Sequence, residues 1–255
     1  MIRFVAPILA YHAVHPQRRD DVNVKPAHFA QQMAWLAQRG YRGVTLAEYG
    51  ARSAKRGTTA QKLVALTFDD GYQDNLTYAW PILRQYGFRA TIFMITEMVG
   101  AQTPHHQPWL EAYPDVPPQA YQYLTWAELR FLQSQGMEIG SHTCTHPLLD
   151  QVDHATQAYE VQESKAQLEA QLGTTISSFC YPAGHFTDET LALVRTAGYE
   201  QAVVTPWRRG LIRGGRYTQP RVGIYLEDDW RRFRFKVSPL FALYRTLRHH
   251  LARGS

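Results

Sequence analysis

The sequence predicts an α/β fold in which one parallel sheet closes into a barrel, and three observations carry that prediction. Strand-like and helix-like segments alternate from end to end with no internal repeat or low-complexity linker, the pattern of a single domain whose parallel sheet is covered by helices. About seven or eight strand–helix units fit within the 255 residues, which suits a closed barrel better than an open sheet. Side chains able to do chemistry follow strand after strand at the C-terminal ends, where a barrel enzyme assembles its site: His12, Asp69, Asp70, His142, His146 and the turn 182–185.

In chain order, residues 4–11 form an apolar strand ending in Tyr11-His12, and residues 15–25 form a polar loop. Pro26 opens a helix that carries Phe29, Met33 and Leu36 at helical spacing and stops at Gly40. A short strand over 43–46 leads to a helix ending near Gly57. The run 63–68 is apolar and β-prone and reads as a buried strand. A helix over 74–86, stopped by Gly87, precedes a strand over 90–95. Residues 99–123 break the pattern, with five prolines interleaved with Trp109, Tyr113, Tyr121 and Tyr123. Two expectations stand for this insertion, a lid that stacks on sugar rings or plain surface packing. Thr125 and Glu128 have the spacing of a capping box for a helix to about Gln135. A strand over 137–140, a helix over 153–172, a strand over 176–181, a helix over 187–197, a strand over 201–205 and a last strand over 221–225 complete the barrel. Residues 1–225 are thus expected to form the barrel and 226–255 a basic amphipathic extension.

The formal net charge of +5 is uneven. Seven of the 27 Lys/Arg lie between Trp230 and Arg253 with no acid among them, so the remaining 20 face 22 Asp/Glu. A body without excess positive charge argues against a nucleic-acid partner. The stretch 240–251 places Leu240, Leu243, Tyr244, Leu247 and Leu251 on one helical face. Residues 230–253 are therefore expected to meet a membrane surface or a partner protein, or to close one end of the barrel. Two cysteines, Cys144 and Cys180, make no disulfide framework. No apolar run approaches the roughly 18 residues of a membrane span. The expected setting is cytoplasmic, peripheral at the membrane if the tail binds there, with a secreted form if a signal peptide was removed.

Asp69, Asp70 and Gly71 end the strand at 63–68. Adjacent strand residues point to opposite faces, so only a chain leaving the strand presents both carboxylates to one site, and the glycine allows that turn. Two acids at a buried strand end are costly unless a metal or a shared proton compensates them. The alternative is a turn whose aspartates cap the next helix. His142 and His146, four apart just past a strand, can converge on one metal. With Asp70 they make a two-His, one-carboxylate set that leaves positions open for water and substrate.

Thr67-Phe68-Asp69-Asp70-Gly71 resembles the first motif of the polysaccharide deacetylases, the NodB-homology enzymes of carbohydrate esterase family 4. Ser141-His142-Thr143-Cys144-Thr145-His146 is similar to their second motif. The resemblance covers about residues 5–225 and implies a distorted (β/α)7 barrel. It implies that Asp70, His142 and His146 bind one divalent metal, zinc first, with nickel, cobalt or iron as alternatives. It further implies that Asp69 is the general base and that the Ala183 N–H stabilises the oxyanion. Two departures stand out. Where the family's third motif has an arginine two residues before its proline, this chain has Cys180, and Arg221 on the last strand is a candidate substitute, with an ordinary structural salt bridge as the alternative. The late Leu-x-His that supplies the general acid is absent. Instead Ile8-Leu9-Ala10-Tyr11-His12 resembles the circularly permuted poly-N-acetylglucosamine deacetylase branch, in which a first-strand histidine is the acid. That likeness assigns His12 to the role, against a core histidine at a strand end. The expected function is removal of N-acetyl groups from an N-acetylhexosamine-containing glycan. The alternative is a carbohydrate-binding homologue that has lost activity.

Overall fold

The structure, a computed structural model, describes residues 7–54, 62–103, 108–205, 215–241 and 244. Nine strands form one sheet: β1 (Ile8–Tyr11), β2 (Tyr41–Val44), β3 (Lys62–Phe68), β4 (Thr91–Met94), β5 (Glu138–Ser141), β6 (Ser178–Cys180), β7 (Gln201–Val204), β8 (Gln219–Pro220) and β9 (Val222–Gly223). The order is β8-β7-β6-β5-β4-β3-β1-β9, and every pairing is parallel. β8 and β9 are two halves of one extended stretch with Arg221 between them. The first half pairs with β7 and the second with β1. The Arg221 N–H donates to the Val204 carbonyl (3.1 Å) and the Ile224 N–H to the Ala10 carbonyl (2.9 Å). This stretch brings the ring almost to closure. With β1, β3, β4, β5, β6 and β7 it makes seven staves, the distorted (β/α)7 barrel the sequence predicts. β2 lies off the ring, paired with the first half of β3, while β4 pairs with its second half. It begins two residues earlier than the predicted 43–46. Its ladder with β3 starts at Tyr41, and the Leu46 N–H already donates to Thr91 Oγ1 (2.8 Å).

Alternate residues of the staves separate into two layers, as the two-residue period of a strand requires. Ile8, Ala65, Phe93, Cys180 and Val203 form one small buried cluster, inside the barrel. Leu9, Leu66, Ile92, Phe179 and Ala202 belong to the large cluster under the helices. The helices are α1 (Pro26–Gln38), α2 (Leu46–Ala54), α3 (Trp80–Gln85), α4 (Pro108–Ala112), α5 (Trp126–Ser134), α6 (His154–Leu172), α7 (Asp188–Thr196) and α8 (Trp230–Lys236). α5 has the predicted capping box, Thr125 Oγ1 accepting from the Glu128 N–H and Glu128 Oε2 from the Thr125 N–H. Asp153 caps α6, which ends where Gly173 takes a left-handed φ of 65°. A single π-turn over Asn75–Ala79 precedes α3, a departure from regular helix that recurs at functional sites.

The insertion carries α4 and a short 3-10 turn over Pro118–Tyr121. Tyr121 and Tyr123 are fully buried, so these two rings do not face sugar. The Arg18 guanidinium lies 4.1 Å from the Tyr72 ring centre and 4.5 Å from that of Tyr121, and Tyr123 packs on Tyr72. α8 docks on α1 through Phe233 against Trp35, with Phe233 and Val237 in the main core and Arg231, Arg232 and Arg234 outside. Most of the predicted helix 240–251, His105, His106 and residues 206–214 lie outside the described residues. No helix among the described residues is long and apolar enough to cross a membrane.

Candidate active site

At the C-terminal end of β3 the chain turns immediately after Asp69. Asp70 adopts φ 70° and Gly71 φ 83°. The turn carries the two carboxylates into different surroundings. The Asp69 N–H stays on the ladder, donating to the Tyr11 carbonyl (2.9 Å), and its side chain points into the barrel top. There Arg221 grips it, Nη1 to Oδ1 and Nη2 to Oδ2, both at 2.6 Å. The same guanidinium donates to Thr67 Oγ1 (3.0 Å) and Thr205 Oγ1 (2.7 Å) and touches Cys180 Sγ (3.1 Å). Burial works to raise the Asp69 carboxyl, but Arg221 prevails and holds it well below the usual carboxylate range. Asp69 is therefore an ionised carboxylate, with His12 Nε2 3.7 Å from its Oδ2.

Asp70 faces the two histidines. Its Oδ1 lies 3.6 Å from His142 Nε2 and 3.7 Å from His146 Nε2, and the two imidazole centres are 4.8 Å apart. Two ligands about 2.1 Å from a common ion and near tetrahedral angles to each other sit about 3.4 Å apart, so this triangle fits a divalent ion of zinc size. His142 Nδ1 is 2.8 Å from the Cys180 carbonyl, which fixes the tautomer that leaves the Nε2 lone pair facing the triangle. Burial lowers the His142 imidazole to about 4, so it is neutral, as a ligand must be. A second triangle, Asp69, His142 and Cys180, is as compact. There a cation is already in place, since Arg221 Nη2 lies 2.6 Å from Asp69 Oδ2 and 3.1 Å from Cys180 Sγ.

The backbone here is strained. Among the described residues, the non-glycine positions with positive φ are Asp70, Thr143, His146 and Ala183. All four fall in the three loops that carry the predicted site, and two are predicted ligands. Such conformations cost of order 1–3 kcal/mol each and persist only where the surroundings impose them. Around His146 the imposing group is Glu160 of α6. Its Oε2 accepts from the Cys144 and Thr145 N–H groups (2.7 and 2.9 Å) and its Oε1 from Thr145 Oγ1 (2.5 Å). The sequence reading missed Glu160. The available signal was an acid at a core position of its helix, three residues after Gln157 and one before Val161.

His12, Asp69, Asp70, His142 and His146 are thus brought together. Ala183 stands in the 3-10 turn after β6, at φ 48°, in the loop that begins at Tyr181. His185 is tied elsewhere, its Nδ1 2.8 Å from Asp150 Oδ1.

The family model described as Polysaccharide deacetylase matches residues 56–202, and this span includes both carboxylates and both histidines. YxkH of Bacillus subtilis (strain 168), which its name assigns to the polysaccharide deacetylases, is 30% identical over 218 residues, 86% of this chain and 71% of that protein. The chain belongs to the polysaccharide deacetylase family. Among solved structures, this deacetylase fold matches Streptococcus pyogenes deacetylase PplD in complex with acetate. The TM-score is 0.74 at 27% identity, over 92% of this chain and 98% of that one. The poly-beta-1,6-N-acetyl-D-glucosamine N-deacetylase of Escherichia coli (strain K12) is 32% identical over 145 residues, 55% of this chain but 20% of that enzyme.

Proposed function

We propose that this chain hydrolyses the N-acetyl groups of an N-acetylhexosamine-containing glycan of the poly-N-acetylglucosamine type, with one divalent ion held by Asp70, His142 and His146. The observation that carries this reading is the triangle around Asp70 standing beside an ionised, Arg221-held Asp69 and a histidine. The name of the Escherichia coli relative supports the glycan class. An ion bound there supplies the Lewis acidity that polarises the acetyl carbonyl and acidifies water. Asp69 takes the proton of the attacking water. The Ala183 N–H donates to the oxyanion as it forms. His12 gives a proton to the amine nitrogen as the C–N bond breaks, since an unprotonated amine is a poor leaving group. Acetate and the free amino sugar result.

A binding-only homologue is the rival. What favoured it was the missing third-motif arginine, and Arg221 makes the contact that arginine is expected to make. The decisive experiment follows acetate release from N-acetylglucosamine oligomers before and after chelation and on adding back single divalent ions. Release that stops with chelator and returns with metal supports the proposal. Glycan binding without release under every condition would establish the rival.

A further inference from the structure

Asp74 and Asn75, three and four residues past the first motif, stand where a helix begins, and Asp and Asn are favoured there because their side chains cap the free N–H groups. Asp74 is the residue before the π-turn, yet its side chain makes no capping hydrogen bond. Both side chains turn instead to the segment just past β1. Asn75 Nδ2 donates to the main-chain carbonyl of His12 (2.8 Å) and also to Asp74 Oδ1 (2.9 Å). The same Asp74 Oδ1 accepts from the Val14 N–H (3.0 Å). Asp74 is 5% exposed and Asn75 1%, so these bonds do not compete with water.

His12 needs such support. Its Nδ1 is buried and makes no hydrogen bond among the described residues, so this second ring nitrogen does not fix how the imidazole is turned. A catalytic imidazole usually has its second nitrogen held for that purpose. Here the placement of Nε2, 3.7 Å from Asp69, has to come from the backbone that carries the ring. That backbone is held on one side by the β1 ladder, through the bond from the Asp69 N–H to the Tyr11 carbonyl, and on the other by Asn75 and Asp74. The loop supplying the clamp is braced in turn, the Gln73 N–H donating to the Gln122 carbonyl and the Leu124 N–H to the Gly71 carbonyl. One short stretch thus carries Asp69, Asp70 and the clamp on His12.

We propose that Asn75, backed by Asp74, is a positioning residue that sets His12 for proton delivery to the leaving amine. The inference rests on the reading of His12 as the general acid. Its test compares two leaving groups on the metal-loaded full chain. An N-acetyl sugar amine has to be protonated to depart, whereas the phenolate of an activated aryl acetate does not. Asn75→Ala should lower amide hydrolysis roughly 10- to 100-fold, the cost of a misplaced catalytic group. It should leave aryl acetate hydrolysis within about twofold of the wild type. Asn75→Asp keeps the size but turns an acceptor towards the His12 carbonyl, and it should show the same split. His12→Ala should show it in full, and the double variant His12→Ala/Asn75→Ala should be no slower than His12→Ala. If His12→Ala shows the split and neither Asn75 variant does, or if the two effects multiply, the positioning role is wrong. If His12→Ala shows no split, the acid assignment itself falls and takes the positioning role with it.

Discussion

Arg221 and Asp69 meet through two parallel hydrogen bonds of 2.6 Å, although 152 residues separate them along the chain. The contact exists because the stretch carrying Arg221 closes the barrel between β7 and β1. It therefore couples formation of the last stave to the charge state of the Asp69 carboxylate. Neither partner is exposed to water, so removing one leaves a buried charge without a counter-charge, at a cost of about 3–5 kcal/mol. Arg221→Met is expected to lose about that much unfolding free energy in urea and to raise the Asp69 carboxyl. Arg221→Lys should recover little of either, because a single ammonium cannot reproduce the two-pronged contact. Wild-type stability in Arg221→Met would show that the pair is not what holds Asp69.

Cys180 occupies the place from which the third-motif arginine is expected, and its Sγ lies 3.1 Å from Arg221 Nη2. An arginine grown from position 180 would enter the space the Arg221 side chain fills. Cys180→Arg alone should destabilise the protein, since it adds a second buried cation. Arg221→Ser alone should remove most activity. The double variant Cys180→Arg/Arg221→Ser should be more active than Arg221→Ser, a coupling that a double-mutant cycle on acetate release would read directly. Strictly additive losses would mean that position 180 cannot present a guanidinium to Asp69.

Much of this site could be read in the sequence because its chemistry constrains residue type and spacing locally. Asp69, Asp70 and Gly71 form one turn, and His142 and His146 form one loop. The alternation of strands and helices and the capping box at Thr125 are equally local. What could not be read depends on contacts between distant segments. The Arg221 contact joins segments 152 positions apart, so the sequence could offer it only as one of two alternatives, and Glu160 acts on a loop that its own helix gives no sign of touching. The choice between the two expectations for the insertion was open for a related reason. Tyr121 and Tyr123 follow prolines in a polar stretch, as exposed rings would, but Arg18 and Tyr72 from other loops draw them inside.

Asp74 gives the fold a pH dependence of unusual sign. Burial raises its carboxyl to about 6, against the pull of Arg18. Between pH 4 and 6 the native state therefore binds more protons at this position than the unfolded chain, and stability from this group falls as pH rises. The shift from 3.8 to about 6 corresponds to about 3 kcal/mol. Asp69 works in the opposite sense, below about pH 4, so the two do not overlap. The expected outcome is that wild type minus Asp74→Asn stability, from urea melts at pH 4, 5, 6 and 7, declines by about that amount. Parallel curves for the two proteins would show that Asp74 titrates normally.

Gly71 is the position at which the turn tolerates no side chain. Its φ of 83° is left-handed, and a Cβ added there would lie 2.1 Å from Met94 Sδ. The left-handed conformation costs a non-glycine residue about 1–2 kcal/mol, and forcing Met94 aside adds about 1–3 kcal/mol of overpacking. Gly71→Ala should therefore destabilise the protein by about 2–5 kcal/mol. Because Asp70 shares the turn with Gly71, the affinity measured for an added divalent ion should fall with it. The two contributions are separable. Met94→Ala leaves a cavity and is costly alone, but it removes the atom the new Cβ would meet. Gly71→Ala/Met94→Ala should therefore lose less unfolding free energy than the two single variants added together, by no more than the overpacking part. A deficit equal to that sum would place the whole effect of Gly71 in its backbone conformation, with Met94 free to move away at no cost.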